Sequence, residues 1–220
     1  MRRRLPLLLA VAIASASLLV GGAGAFPRPP WRKHPLMARW LANSASYGVL
    51  ATLSGTGAPV GGVVSVADSP QAQDGAGGAG GGGGGGRLFA YLSPMDETTR
   101  NLAADPRVSL TLTEASTSAG CGATDPEDPT CARASFLGEA RRLADGDEAE
   151  AAKRALFSKH PAMEGWPDDH SFTAYEVVVR EVHLLDYYGG MAVIPAADYY
   201  AVETPADDGA PPQTAVLAVA

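Results

Sequence analysis

The chain has 220 residues with 17 Lys and Arg against 24 Asp and Glu, a formal net charge of −7. A polyanion would meet net repulsion, and no cluster of Lys and Arg interleaved with aromatics occurs after residue 25, which argues against nucleic-acid binding. Nor does any apolar run after residue 25 approach the ~18 residues of a membrane span.

Arg2, Arg3 and Arg4 precede an apolar stretch, residues 5–20, that ends in the small residues Gly21 to Ala25. That order predicts a signal peptide over residues 1–25 cut after Ala25, with an uncleaved anchor as the alternative. Removing it takes three arginines and leaves 14 basic against 24 acidic residues, a net charge of −10. Residues 26–35 carry four prolines with Arg28, Arg32 and Lys33 and read as an extended leader.

The domain is expected over residues 36–203. Leu36, Met37, Trp40 and Leu41 recur at helical spacing and predict a short helix ending near Asn43. Residues 47–53 and 60–67 are β-rich and flank a Ser54-Gly55-Thr56-Gly57 turn suited to a hairpin. Residues 75–86 are ten glycines and two alanines, which predict a disordered loop. Gly75 to Gly80 formally fits the dinucleotide fingerprint, but any glycine run does, and a strand over 88–92 follows rather than a phosphate-binding helix.

Ser93 and Asp96 have capping-box spacing around Pro94, predicting a helix over 94–103 stopped by Asp105-Pro106. A half-buried strand over 108–113 follows, then a strand over 135–143 and a helix from the capping pair Asp145 and Glu148 to about Lys159. Residues 172–187 form the longest β-rich run. Val177 and Val179 are expected on one face and Val178 and Val182 on the other, with a bend near Arg180-Glu181. A strand over 192–194, a helical turn over 195–200 and a loose tail over 204–220 complete the chain. About six strands with a few short helices, without the spacing of a parallel sheet, predict a mostly β (α+β) antiparallel barrel.

The two cysteines, Cys121 and Cys131, bracket a segment rich in Pro and Asp. In a secreted chain they read as a disulfide worth roughly 3 kcal/mol by chain entropy. Free thiols are the alternative; a metal site would need further ligands, and no His falls within twenty residues of either. No Asn-x-Ser/Thr sequon follows the signal, so N-glycosylation is not expected.

Trp166-Pro167-Asp168-Asp169-His170, then Leu185 to Gly190 and Tyr199-Tyr200, resemble the C-terminal half of the CREG proteins, secreted relatives of the flavin-mononucleotide-binding split barrels. Tyr91-Leu92-Ser93-Pro94, Asn101-Leu102, Asp105-Pro106 and Leu156-Phe157-Ser158-Lys159-His160-Pro161 keep the family's order upstream. The resemblance implies an antiparallel split β-barrel and a homodimer whose interface builds the pocket that holds flavin in enzymatic cousins. It also implies a secreted or endolysosomal location and action by binding other proteins, including a protein receptor, without flavin.

In the flavin-binding split barrels, Arg and Lys from the strand-to-helix segment grip the phosphate. The matching residues 92–100 hold Asp96 and Glu97 with Arg100 as their one arginine. A carboxylate ~4 Å from a phosphate charge costs about 4 kcal/mol at an effective dielectric of 20. Ser93, Arg100 and Arg141 are the candidate flavin-binding set, although alternation turns only one of Arg141 and Arg142 inward and a solvated face suits both. His160 and His170 flank Trp166 as candidate haem or metal ligands; the plainer expectation is a histidine bonded to backbone beside a packed tryptophan. Asp168-Asp169 read as solvated turn residues. The chain lacks a Gly-x-Ser-x-Gly elbow, a His-Glu-x-x-His helix and a P-loop. The expectation is a non-catalytic interaction or sorting module. The alternative is an oxidoreductase or carrier with FMN or haem at the dimer cleft.

Overall fold

The computed structural model describes residues 26–69 and 85–204. The expected signal peptide, the glycine stretch up to residue 84 and the tail beyond residue 204 lie outside the described residues.

In chain order the elements are α1 (His34–Ser44), β1 (Tyr47–Leu53), β2 (Pro59–Asp68), β3 (Leu88–Leu92), α2 (Glu97–Ala104), β4 (Arg107–Thr113), β5 (Arg133–Arg142), α3 (Asp147–Lys159), β6 (Thr173–Leu185), β7 (Ala192–Pro195) and α4 (Ala196–Tyr200). All strand pairings are antiparallel, in the order β3-β2-β1-β4-β5-β6-β7, and a further β3–β6 pairing closes six strands into a barrel. The long β6 makes this closure. Its first half, from Thr173 to Val177, pairs with β3, and its second half, from Glu181 to Leu184, pairs with β7.

Between those halves the register against β5 slips: Leu137 faces Glu181 while the next residue, Gly138, faces Val179, leaving Arg180 as a bulge. The expected bend is therefore present. It also shifts the phase of the strand. Val182 packs in the same core as Val177 and Val179 rather than on the opposite face, because the extra residue restores the inward direction. Gly138 permits this, since a Cβ there would lie 2.0 Å from the Val178 carbonyl oxygen. The Tyr200 hydroxyl accepts the Val179 N–H at 3.0 Å, satisfying a donor beside the bulge.

Alternation along the strands gives two cores. Leu50, Val66, Leu88, Leu110, Phe136 and Val182 fill the barrel, and α1 plugs one end with Met37, Trp40 and Leu41 against Tyr199 of α4. Outside the wall, Ala67, Phe89 and Ala174 meet Ala152 and Leu156 of α3. Helix α1 is buried around most of its girth, including Arg39, whose guanidinium lies over the Tyr199 ring at 5.5 Å. Gly86 backs it with φ of +96°; a Cβ there would sit 2.4 Å from the guanidinium carbon.

The leader has no regular element up to Lys33, while His34 and Pro35 open α1 instead of extending as expected; even so, the leader is docked. Arg28 donates to Glu114 at 2.8 and 3.1 Å, and Trp31 stacks on Tyr187 at 4.7 Å. Cys121 and Cys131 are joined as a disulfide, with Cα atoms 5.6 Å apart. Among the described residues no helix is long and apolar enough to cross a membrane.

Candidate functional site

Beside the barrel, between β2 and the end of β3, lies a cleft of about 470 Å³. This falls within the range of small-ligand pockets, roughly 300–1,000 Å³. Val63, Val64 and Ser65 of β2 form one wall; Tyr91, Trp166 and Phe172 form the other, with Met95 and Met163 alongside. Tyr91 points outward because β3 alternates: Leu88, Ala90 and Leu92 fill the barrel, while Phe89 and Tyr91 face the outer core. The three aromatic rings lean on one another, with centroids 4.7 Å apart for Trp166 and Phe172 and 5.3 Å for Tyr91 and Phe172. Phe157 of α3 meets the Tyr91 edge at 5.4 Å.

Two short loops hold this wall. Ser93 Oγ donates to the His170 carbonyl at 2.7 Å and accepts the Met95 N–H at 3.2 Å, tying the β3–α2 connection to the 3-10 turn Asp168–His170. Ser171 then takes a left-handed φ of 52°, an uncommon conformation for a residue with a Cβ, and turns the chain into Phe172 and β6. Helix α2 begins at Glu97 rather than Pro94, because Asp96 is itself the cap: its carboxylate accepts the Thr98 N–H at 2.7 Å. Ser93 thus anchors the connection instead of capping the helix.

The three residues expected to grip a flavin are dispersed. Ser93 is buried at the cleft with its hydroxyl bonded on both sides. Arg100 folds back to donate to the Met95 carbonyl at 3.0 Å. Arg141 is absent from the cleft lining. It faces outward opposite Glu176 and pairs with Glu176 and Glu148, so it is engaged in an ionic network rather than held on a free solvated face. Arg142 lies in register with Tyr175 and makes one long bond, 3.4 Å, to Thr173 Oγ1.

That network is the strongest electrostatic feature of the outer wall. Glu176 is buried in the middle of β6 and takes both Arg87 donors, Nε at 2.7 Å and Nη2 at 2.8 Å, with Arg141 on the other side. Burial pushes the Glu176 carboxyl up, but the hydrogen bonds and charges of Arg87 and Arg141 outweigh it and leave it below its usual value. Hydrogen bonding by Arg141 likewise lowers Glu148.

The two histidines do different work. His160 Nε2 bonds the Val66 carbonyl at 2.9 Å, the plainer of its two expected roles. His170 lines the cleft, its ring partly exposed and 6.1 Å from Phe172. No group of three or more His, Cys, Asp or Glu among the described residues is arranged to hold a metal ion.

A closed six-strand antiparallel barrel with few short helices and a cleft on its flank defines the split-barrel class. Its solved examples include a Clostridium acetobutylicum protein of the pyridoxinephosphate oxidase family, with TM-score 0.50 and 13% identity over 76% of this chain and 98% of that one. At that identity the likeness shows the fold alone. A structure described as a heme binding protein from Mycobacterium smegmatis reaches TM-score 0.59 and 27% identity, covering 80% of this chain and 62% of that one. Within the class the chain belongs to the CREG family: the pattern described as CREG, beta-barrel matches residues 29–201. The CREG1 protein of Gallus gallus is 32% identical over 197 residues, 87% of this chain and 96% of that protein.

Proposed function

We propose that this protein is a secreted, non-catalytic split-barrel dimer that acts by binding other proteins. One observation carries the reading: the two arginines expected to grip a cofactor phosphate are engaged by the chain itself, Arg141 on Glu148 and Glu176 and Arg100 on the Met95 carbonyl. The disulfide and the leader-like N-terminus support an extracellular or endolysosomal location.

A second copy fits the bare side of the sheet. Across its outer face, Val63, Val49, Thr111, Ser135, His183 and Val193 stand in one register row spanning six strands. Val63 is 75% exposed, Val193 55% and Val49 44%, and Tyr47 adds another open ring. Open valines at both ends of a row whose middle is Thr111, Ser135 and His183 support an interaction surface here.

The reading predicts a colourless protein that sediments as a dimer, gains no flavin absorbance with micromolar FMN, and becomes monomeric on Val63→Asp. A yellow preparation with a flavin band sinks it. A second reading, a haem carrier, is favoured by His170 lining the cleft and by the similarity to the Mycobacterium smegmatis heme binding protein. Haemin titration separates the two: a Soret band lost on His170→Ala replaces the first reading with the second.

A further inference from the structure

We propose that the aromatic cleft docks a basic side chain, arginine in preference to lysine, presented by a partner protein; this rests on reading the molecule as an interaction module. The cleft is built for a cation. The rings of Tyr91, Trp166 and Phe172 line it, together with Met95 and Met163. A ring face is the negative pole of an aromatic quadrupole, and a guanidinium stacks on it more readily than an ammonium does.

Carboxylates outnumber arginines around the opening. Asp96 lines the cleft, and the two turns that border it carry Glu164 and then Asp168 and Asp169, all exposed. The opposing cation, Arg100, is turned onto the Met95 carbonyl. No lysine or arginine is among the lining residues. Hydrogen bonding leads to the same occupant: Ser93 already donates to His170 and accepts from Met95, so its hydroxyl offers little to a polar neutral ligand. What remains for recognition is cation–π contact with carboxylates at the rim, in a chain whose own net charge is −7.

The test uses the full secreted protein and three acetylated, amidated tripeptides: tri-arginine, tri-lysine and tri-glutamate. Binding is read by isothermal titration calorimetry, which reports every variant alike. The expected result is saturable tri-arginine binding, weaker tri-lysine binding and none by tri-glutamate. Trp166→Ala should weaken tri-arginine binding about 10-fold, whereas Trp166→Phe, which keeps a ring face, should keep most of it. Asp96→Asn retains a competent helix cap while removing the charge, so a several-fold loss there reports electrostatics and not unfolding. Tri-glutamate binding as tightly as tri-arginine, or tri-arginine binding unchanged in Trp166→Ala, overturns the proposal. Failure of tri-arginine to bind a colourless dimer overturns the basic-side-chain assignment alone, while a Soret band with haemin overturns the interaction-module reading beneath it.

Discussion

Two neighbouring sites on the outer wall of β3 and β6 handle polar groups in opposite ways. Around Glu176, two arginines and a second carboxylate close a complete ionic network beneath α3. Two residues earlier on β6, at Ala174 opposite Tyr91, the same wall leads into an aromatic cleft whose nearest arginine is folded away. One site is finished by its own chain; the other is lined by aromatic rings with no arginine or lysine among them. Buried charge is tolerated only when paired, so the first is structure, and the second is the place to test for recognition.

The contrast breaks most visibly at Glu176. Glu176→Gln should cost about 3 kcal/mol of unfolding free energy in a denaturant titration, because it removes the buried charge that Arg87 and Arg141 share and leaves both on the more exposed Glu148; the half-exposed Arg141 keeps the loss at the low end for a buried pair. Acid should reproduce part of this loss. The folded-state carboxyls of Glu176 and Glu148 lie below their ordinary value of 4.5, so their stabilisation is present above about pH 4.5 and fades as pH falls through the lowered values. A Tm-against-pH curve should therefore fall steeply below that point in the native protein and less steeply in Glu176→Gln.

The cleft should respond in the reverse sense. Trp166→Ala should lower stability by only about 1 kcal/mol, since Trp166 is 36% exposed, measured by the same denaturant titration. Smallest of all, Arg100→Ala should change stability by less than about 0.5 kcal/mol, as expected for an exposed side chain bonded to one local carbonyl. An Arg100→Ala loss comparable with that of Glu176→Gln would erase the distinction between the two sites.

Much of this architecture is legible from residue patterns. Alternation marks β4, and the Ala and Leu spacing of α3 together with the two cysteines announces their partners. The bend near Arg180 is legible from the length of the run, but not that it inserts an extra residue, so periodicity assigns Val182 to the wrong face. Helix α2 starts late because Asp96 competes with Ser93 for the cap, and two acceptable caps three residues apart look alike in sequence. The network joins residues 61 and 89 positions apart, Arg87 to Glu148 and to Glu176. Yet Glu176 carries a signal: a lone carboxylate immediately before Val177-Val178-Val179 must find a cation if that strand is buried. The cleft's aromatics come from three separate segments: Tyr91 and Trp166 stand in motifs the sequence shares with its family, but no sequence pattern joins Phe172 to them.

The hairpin mouth between β2 and β3 has a practical consequence. Ser69 and Arg87 exchange backbone and hydroxyl bonds of 2.8 and 3.1 Å, Gly86 returns one to Ser69 at 3.1 Å, and Arg87 is anchored beneath α3. The β2–β3 pairing is therefore clamped where the strands leave the barrel, by bonds made on residues 69, 86 and 87 themselves, so substitutions at Ser69 or Arg87 should loosen that end of the sheet.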